Sequence, residues 1–161
     1  GYGSRLHYNA EWAVDNIHRG NLTDAARTFP RVNYKVMNVD FMSRHRDRYP
    51  ALADSAAYAR IREVESGFRN HRFPYVKSSD LGSRPVRDAF RSGDVVSLVA
   101  SSVPGLDVTH MGVVVREPDG SLHLLHASMS RGEVTLESRP LDDFMRKNRQ
   151  WAGMRVFRIN Q

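Results

Sequence analysis

Residues 93–128 read GDVVSLVASSVPGLDVTHMGVVVREPDGSLHLLHAS, and the reading of this stretch decides the fold. Three apolar runs are separated by two turn clusters, VPGLD at 103–107 and EPDG at 117–120. Connections this short join antiparallel neighbours. A further turn, MSRG at 129–132, leads into GEVTLES at 132–138 and a fourth run. Side chains alternate between the two faces of a strand. In SLHLLHA, Leu122, Leu124 and His126 share one face, and Ser121 and His123 share the other. His126 therefore points with the leucines. In THMGVVVRE, His110 shares a face with Gly112 and Val114, and Gly112 leaves room for a substrate or a closely packed backbone. Pairing through the EPDG turn brings His110 and His126 together on a single face.

Two inward histidines on neighbouring strands supply a base and a group that holds its tautomer. Three other readings stay open on the residues alone. A zinc site would use His110, His126 and an acid such as Asp107, although no HExxH or comparable helical ligand pair is present. A serine nucleophile has candidates in Ser97, Ser101, Ser102 and Ser128, but no GxSxG elbow. In a binding module, both histidines would pack or hold ligand without chemistry.

Working outward, the first element is a helix. Ala10, Ala13, Val14 and Ile17 repeat at its period, with Asn9 as cap and Gly20 as stop. A turn with Thr23 as cap precedes RVNYKVMNV, where Val32, Tyr34 and Val36 alternate as in a strand. A helical run from about residue 40 to 70 is split at Pro50, with Leu52, Ala56, Ile61 and Val64 facing the core. From Arg72, Pro74, Gly82 and Pro85 punctuate a loop-rich stretch that leads through a short helix around Val86–Phe90 to the meander. After Pro140, LDDFMRKNRQ reads as a helix, and MRVFRI as a last strand returning to the sheet. Helices first and an antiparallel sheet afterwards make an α+β domain spanning residues 1–161.

Composition narrows the function classes. The chain has 161 residues, 40% hydrophobic and 26% charged, enough for one core of ordinary character. It has no cysteine, which excludes disulfides, thiolate metal sites and a thiol nucleophile within these residues. No apolar run approaches the ~20 residues of a membrane span. The net charge is +6, with 21 Arg against Lys35, Lys77 and Lys147. Arginines mixed with Asp and Glu along the whole chain read as a solvated surface. The clusters RHRDR at 44–48 and RNHR at 69–72 lack interleaved aromatics for stacking bases, so nucleic acid is not the expected partner.

The stretch GDVVSLVASSVPGLDVTHMGVVV followed by LHLLHAS resembles a bacterial family described as N-acetylmuramoyl-L-alanine amidase-like, a branch of the NlpC-type papain-like cell-wall hydrolases. The shared features are Gly93 and Asp94 before a strand, His110 with Gly112, and His126 with Ala127. The opening GYGSRLHYNAEWAVDN is similar to the same family's R-x-H-Y segment before a helix with Trp. The resemblance implies a papain-like fold, with N-terminal helices packed on the meander, and a cysteine-type amidase acting on peptidoglycan or muropeptides. It implies no cofactor and no metal. It implies His110 as base and His126 as its orienter. Asp107 would position the loop or contact substrate, and Arg5, His7 and Tyr8 would line the cleft, with Trp12 beside them as a helix-packing residue. It also implies a periplasmic or cell-envelope location. In that family the nucleophile is a cysteine at the start of a helix N-terminal to everything quoted. The expectation is therefore that an N-terminal segment outside these residues supplies it. The alternative is a catalytically inactive cell-wall or polyanion-binding module of the same fold.

Overall fold

The computed structural model describes all 161 residues. Its helices are α1 (Asn9–His18), α2 (Phe41–Arg44), α3 (Ser55–Ser66), α4 (Arg84–Ala89) and α5 (Leu141–Lys147), with short 3-10 turns between them. Its strands are β1 (Leu22–Asp24), β2 (Asn33–Met37), β3 (His71–Lys77), β4 (Val95–Ala100), β5 (Val108–Arg116), β6 (Leu122–Ser128), β7 (Glu133–Leu136) and β8 (Trp151–Ile159). The strands form one sheet in the order β2-β3-β8-β4-β5-β6-β7, and β1 pairs with the far end of β8. Every pairing is antiparallel. The expected α+β class and the β4–β7 meander are present, while β8 lies at the centre of the sheet, between β3 and β4.

Burial follows from that order. Strand β6 alternates, with Leu122, Leu124 and His126 buried and His123 and Leu125 between them half-buried. Strands β4 and β8 are buried almost continuously, since helices cover both of their faces. On one face Val96, Leu98, Val114, Leu122, Leu124, Met154 and Val156 pack under α4, α5 and the 3-10 turns at 25–28 and 78–82. Each such side chain contributes about 1.5–3 kcal/mol when fully buried. On the other face Phe157 meets Ala13 and Leu22. A third cluster, Tyr8, Ala10, Val39, Met42, Leu52 and Ile61, joins the N-terminal helices.

Several local expectations are corrected. Asn9 does not cap α1. The Glu11 carboxylate accepts from the backbone amides of His7 and Tyr8 at 2.9 and 3.1 Å, which frees the Asn9 amide to donate to Ser97 Oγ at 2.8 Å. Of the α1 stripe only Ala10 and Ala13 are buried, and Val14 and Ile17 face solvent. In α3 the Asp54 side chain accepts from Ala57 N at 2.7 Å, a cap that sets the helical phase. Ile61 and Glu65 point inward in consequence, whereas Ala56 is exposed. Thr23 is a strand residue whose hydroxyl donates to Asn160 Oδ1 at 2.6 Å, not a helix cap. Pro74 sits inside β3 opposite Tyr34, where a loop was expected. Because β8 pairs only with Val76 and Lys77 of β3, Pro74 interrupts no β3–β8 ladder.

Candidate active site

His110 lies near the start of β5, directly across from Leu98 of β4, and His126 lies in β6. Side-chain alternation and the EPDG turn place both rings on the α5-covered face. His110 Nε2 and His126 Nδ1 are 2.7 Å apart, with the rings nearly perpendicular at 86°. His126 is 8% exposed, whereas His110 is half-buried. The Nδ1 of His110 makes no hydrogen bond within the chain. Burial, followed by repulsion from His126, holds the His110 imidazole below the ordinary histidine pKa, so the ring favours its neutral form.

Two further side chains complete the site, and neither stood out in the sequence. Glu137, just past β7, brings its Oε1 to 2.8 Å from His126 Nε2. Its backbone N–H donates to Leu124 O at 2.9 Å and its carbonyl accepts from His123 at 2.7 Å. His123, on the opposite face as alternation requires, thus holds the backbone that carries the acid. Trp151, the first residue of β8, stacks on His110 at 5.7 Å and 19°, and its indole N–H donates to Thr109 Oγ1 at 2.8 Å. Phe144 of α5 meets both His126 and Trp151. Two aromatic rings therefore limit the rotation of the pair.

None of the other expected site residues bonds either histidine. Tyr8 is 3% exposed, and its hydroxyl is committed, donating to Glu65 Oε1 and accepting from Met42 N, both at 2.7 Å. Burial raises its phenol well above the ordinary range. His7 Nε2 bonds Tyr2 O at 2.8 Å and its ring lies against Tyr2. Arg5 is exposed, without a side-chain partner. Asp107 is fully buried where β5 begins, and neither carboxylate oxygen reaches full hydrogen-bond geometry. Burial raises its pKa, and the nearby Val108 and Ala10 amides and the Arg155 guanidinium oppose that rise without cancelling it. Gly112 opens no space for substrate. A Cβ there would meet the Leu124 side chain at 2.6 Å and Leu125 O at 2.9 Å, so the glycine lets β6 approach.

The two alternative chemistries are not assembled. No three His, Asp or Glu side chains converge as metal ligands. No serine hydroxyl bonds His110: Ser97 accepts from Asn9, Ser101 donates to Arg149 O, and Ser128 pairs with Ser130.

Among solved structures, an N-acetylmuramoyl-L-alanine amidase from Bacteroides uniformis ATCC 8492 superposes with a TM-score of 0.88 at 28% identity. The match covers 100% of this chain and 67% of that one. A Bacteroides fragilis protein named "putative xylanase" is as similar, with a TM-score of 0.89 at 29% identity over 99% of this chain and 68% of that one. A Legionella pneumophila protein at 20% identity shares the fold, with a TM-score of 0.71 over 100% of this chain and 64% of that one. No curated protein matches. The sequence pattern of one family covers residues 1–154, from the RLHY segment through both histidine strands and into β8, and by that match the chain belongs to the N-acetylmuramoyl-L-alanine amidase-like family.

Proposed function

We propose that this chain is the base-bearing part of a papain-like cysteine amidase that cleaves amide bonds in the peptide portion of peptidoglycan or its muropeptide fragments. The observation that carries the reading is the 2.7 Å bond between His110 Nε2 and His126, which orients His110 and leaves its other nitrogen unengaged at a half-exposed position. A cysteine outside these 161 residues, on a preceding segment, supplies the thiol. His110 takes the thiol proton and the thiolate sulfur bonds to the amide carbonyl carbon. The C–N bond then breaks as His110 returns that proton to the leaving amine, and water hydrolyses the thioester with His110 again as base. His126 holds the base in register throughout. A peptidoglycan substrate supports a location in the cell envelope, on the periplasmic side.

Glycosidic chemistry is the less suitable alternative. It uses two carboxylates flanking the scissile bond, and the one carboxylate at this pair, Glu137, is bonded to His126. The test is digestion of purified peptidoglycan by the full-length protein, with released peptides and sugars identified by mass spectrometry. His110→Ala is expected to lower turnover by about 100-fold or more while the variant still folds and melts cooperatively. Undiminished activity in that variant, or after alkylation of every cysteine, refutes the reading. Saturable, salt-sensitive binding to sacculi without cleavage identifies the inactive module instead.

A further inference from the structure

Glu137, His126 and His110 form a line of three groups with unequal capacities. A carboxylate has lone pairs and no proton to give, whereas a neutral imidazole has one N–H and one bare nitrogen. Glu137 Oε1 faces His126 Nε2 at 2.8 Å, so the proton on that line belongs to His126 Nε2. The neutral ring then presents a bare Nδ1 at its other end. His110 Nε2 lies 2.7 Å from that Nδ1, and the proton that makes this second bond is its own. We propose that Glu137 is a positioning residue that acts through His126 to hold the His110 proton on Nε2, leaving Nδ1 as the nitrogen that receives a proton.

The placement of Glu137 suits this task. Its side chain is 12% exposed, and its backbone is fixed on both sides, by Leu124 O on β6 and by the His123 ring. Its second oxygen lies 3.9 Å from Arg131 Nη2, so the carboxylate bridges a fixed imidazole and a surface guanidinium. The direction of the chain matters because the opposite arrangement fits the same atoms. Were His126 protonated on Nδ1, it would donate to His110 Nε2, and the His110 proton would sit on Nδ1, where a lone pair is required. The two arrangements have equal numbers of hydrogen bonds between the histidines. Only a group at position 137 that accepts and cannot donate separates them. For turnover, the consequence rests on His110 being the base, whereas the tautomers themselves do not.

The experiment is 15N NMR of the histidine rings in the full-length protein with its cysteines replaced by serine, paired with kinetics of the full-length protein with its cysteines intact. In the wild type, both His110 and His126 are expected to carry the proton on Nε2 and show an unprotonated Nδ1. Glu137→Gln keeps the shape, but its amide can donate as well as accept, so the bias weakens and both rings are expected to become mixtures of tautomers. Glu137→Leu removes the acceptor, and both rings become mixtures of tautomers. In the full-length protein Glu137→Leu is expected to lower kcat by about 100-fold or more with KM changed by less than about twofold, and Glu137→Gln to lower kcat in the same sense with KM again little changed. A wild-type His110 protonated on Nδ1 overturns the proposal, as does a folded Glu137→Leu protein with unaltered tautomers. If Glu137→Leu does not fold, the wild-type spectrum decides, together with loss of the single-tautomer pattern in the isosteric Glu137→Gln, and an unaltered pattern there overturns the proposal. An inactive full-length protein with the expected tautomers refutes the amidase reading and upholds the proton arrangement. An active one with His110 protonated on Nδ1 does the reverse.

Discussion

The hydroxyl of Tyr8 shows how one oxygen ties three elements together. It donates to Glu65 of α3 and accepts from the Met42 amide of α2, while its own residue precedes α1. Tyr8→Phe keeps the ring and removes both bonds, leaving a buried carboxylate and a buried amide without that partner. The expected cost is about 1–3 kcal/mol. A thermal melt of the variant should show a midpoint lower by roughly 2–10 °C. The sequence suggested a cleft role for Tyr8 through the RLHY resemblance, and the structure places it in the packing of the N-terminal helices. His110 and His126 were legible because alternation along a strand is a local property. Glu137 was legible in principle: pairing GEVTLES back onto LHLLHAS through MSRG sets an acid beside His126. Trp151 left no such trace, since its contact with His110 comes from a strand that enters the sheet between β3 and β4.

At the scale of elements, the meander and α5 could be read from turns and periodicity, because each connection is short and each neighbour is next in sequence. Strand β8 could be read as a strand but not as a central one. Its partners, β1, β3 and β4, lie about 50 or more residues away along the chain, and nothing local names them. Gly153 marks a close approach of β8 to β3. A Cβ there would collide with Val76 O and with Lys77 Cα, both backbone atoms that cannot swing aside. Gly153→Ala is therefore expected to destabilise the protein by about 1–3 kcal/mol or more, read as a lower urea midpoint. Because Gly153 is two residues from Trp151, the same variant is also expected to weaken the Trp151–His110 stack, seen as altered indole fluorescence.

Over the whole molecule, most of the ion pairs are exposed and contribute little. Arg155 and Arg158 differ. Arg155 is 4% exposed, reaches Asp24 at 3.2 Å, and lies over the rings of Phe73 and Phe157. Arg158 pairs twice with buried Asp94, each bond at 2.9 Å. The titratable groups act on stability in opposite senses: raised carboxyl pKa values at Asp24 and Asp107 favour folding at lower pH, and lowered histidine values favour it at higher pH. Burial lowers the pKa of His71, and the Arg155 charge lowers it further, while His110 is lowered by burial and by His126. Histidines with depressed folded pKa values bind fewer protons than in the unfolded chain. Their stabilising contribution is complete above the ordinary value of 6.5 and is lost as pH falls through it toward the folded value. Between about pH 5.5 and about pH 7.5 the free energy of urea unfolding is expected to rise less with pH in His71→Gln than in the wild type.

Strand β8 also sets an order for synthesis. Strands β2 and β3 can pair early, and β4 to β7 can form their meander, but the two groups share no ladder until β8 enters between them. Until residues 151–159 emerge from the ribosome, nothing joins the β2–β3 pair to the meander, and each has an open edge where β8 belongs. Because Trp151 arrives on that strand, the ring that steadies His110 is put in place by the same event that closes the sheet.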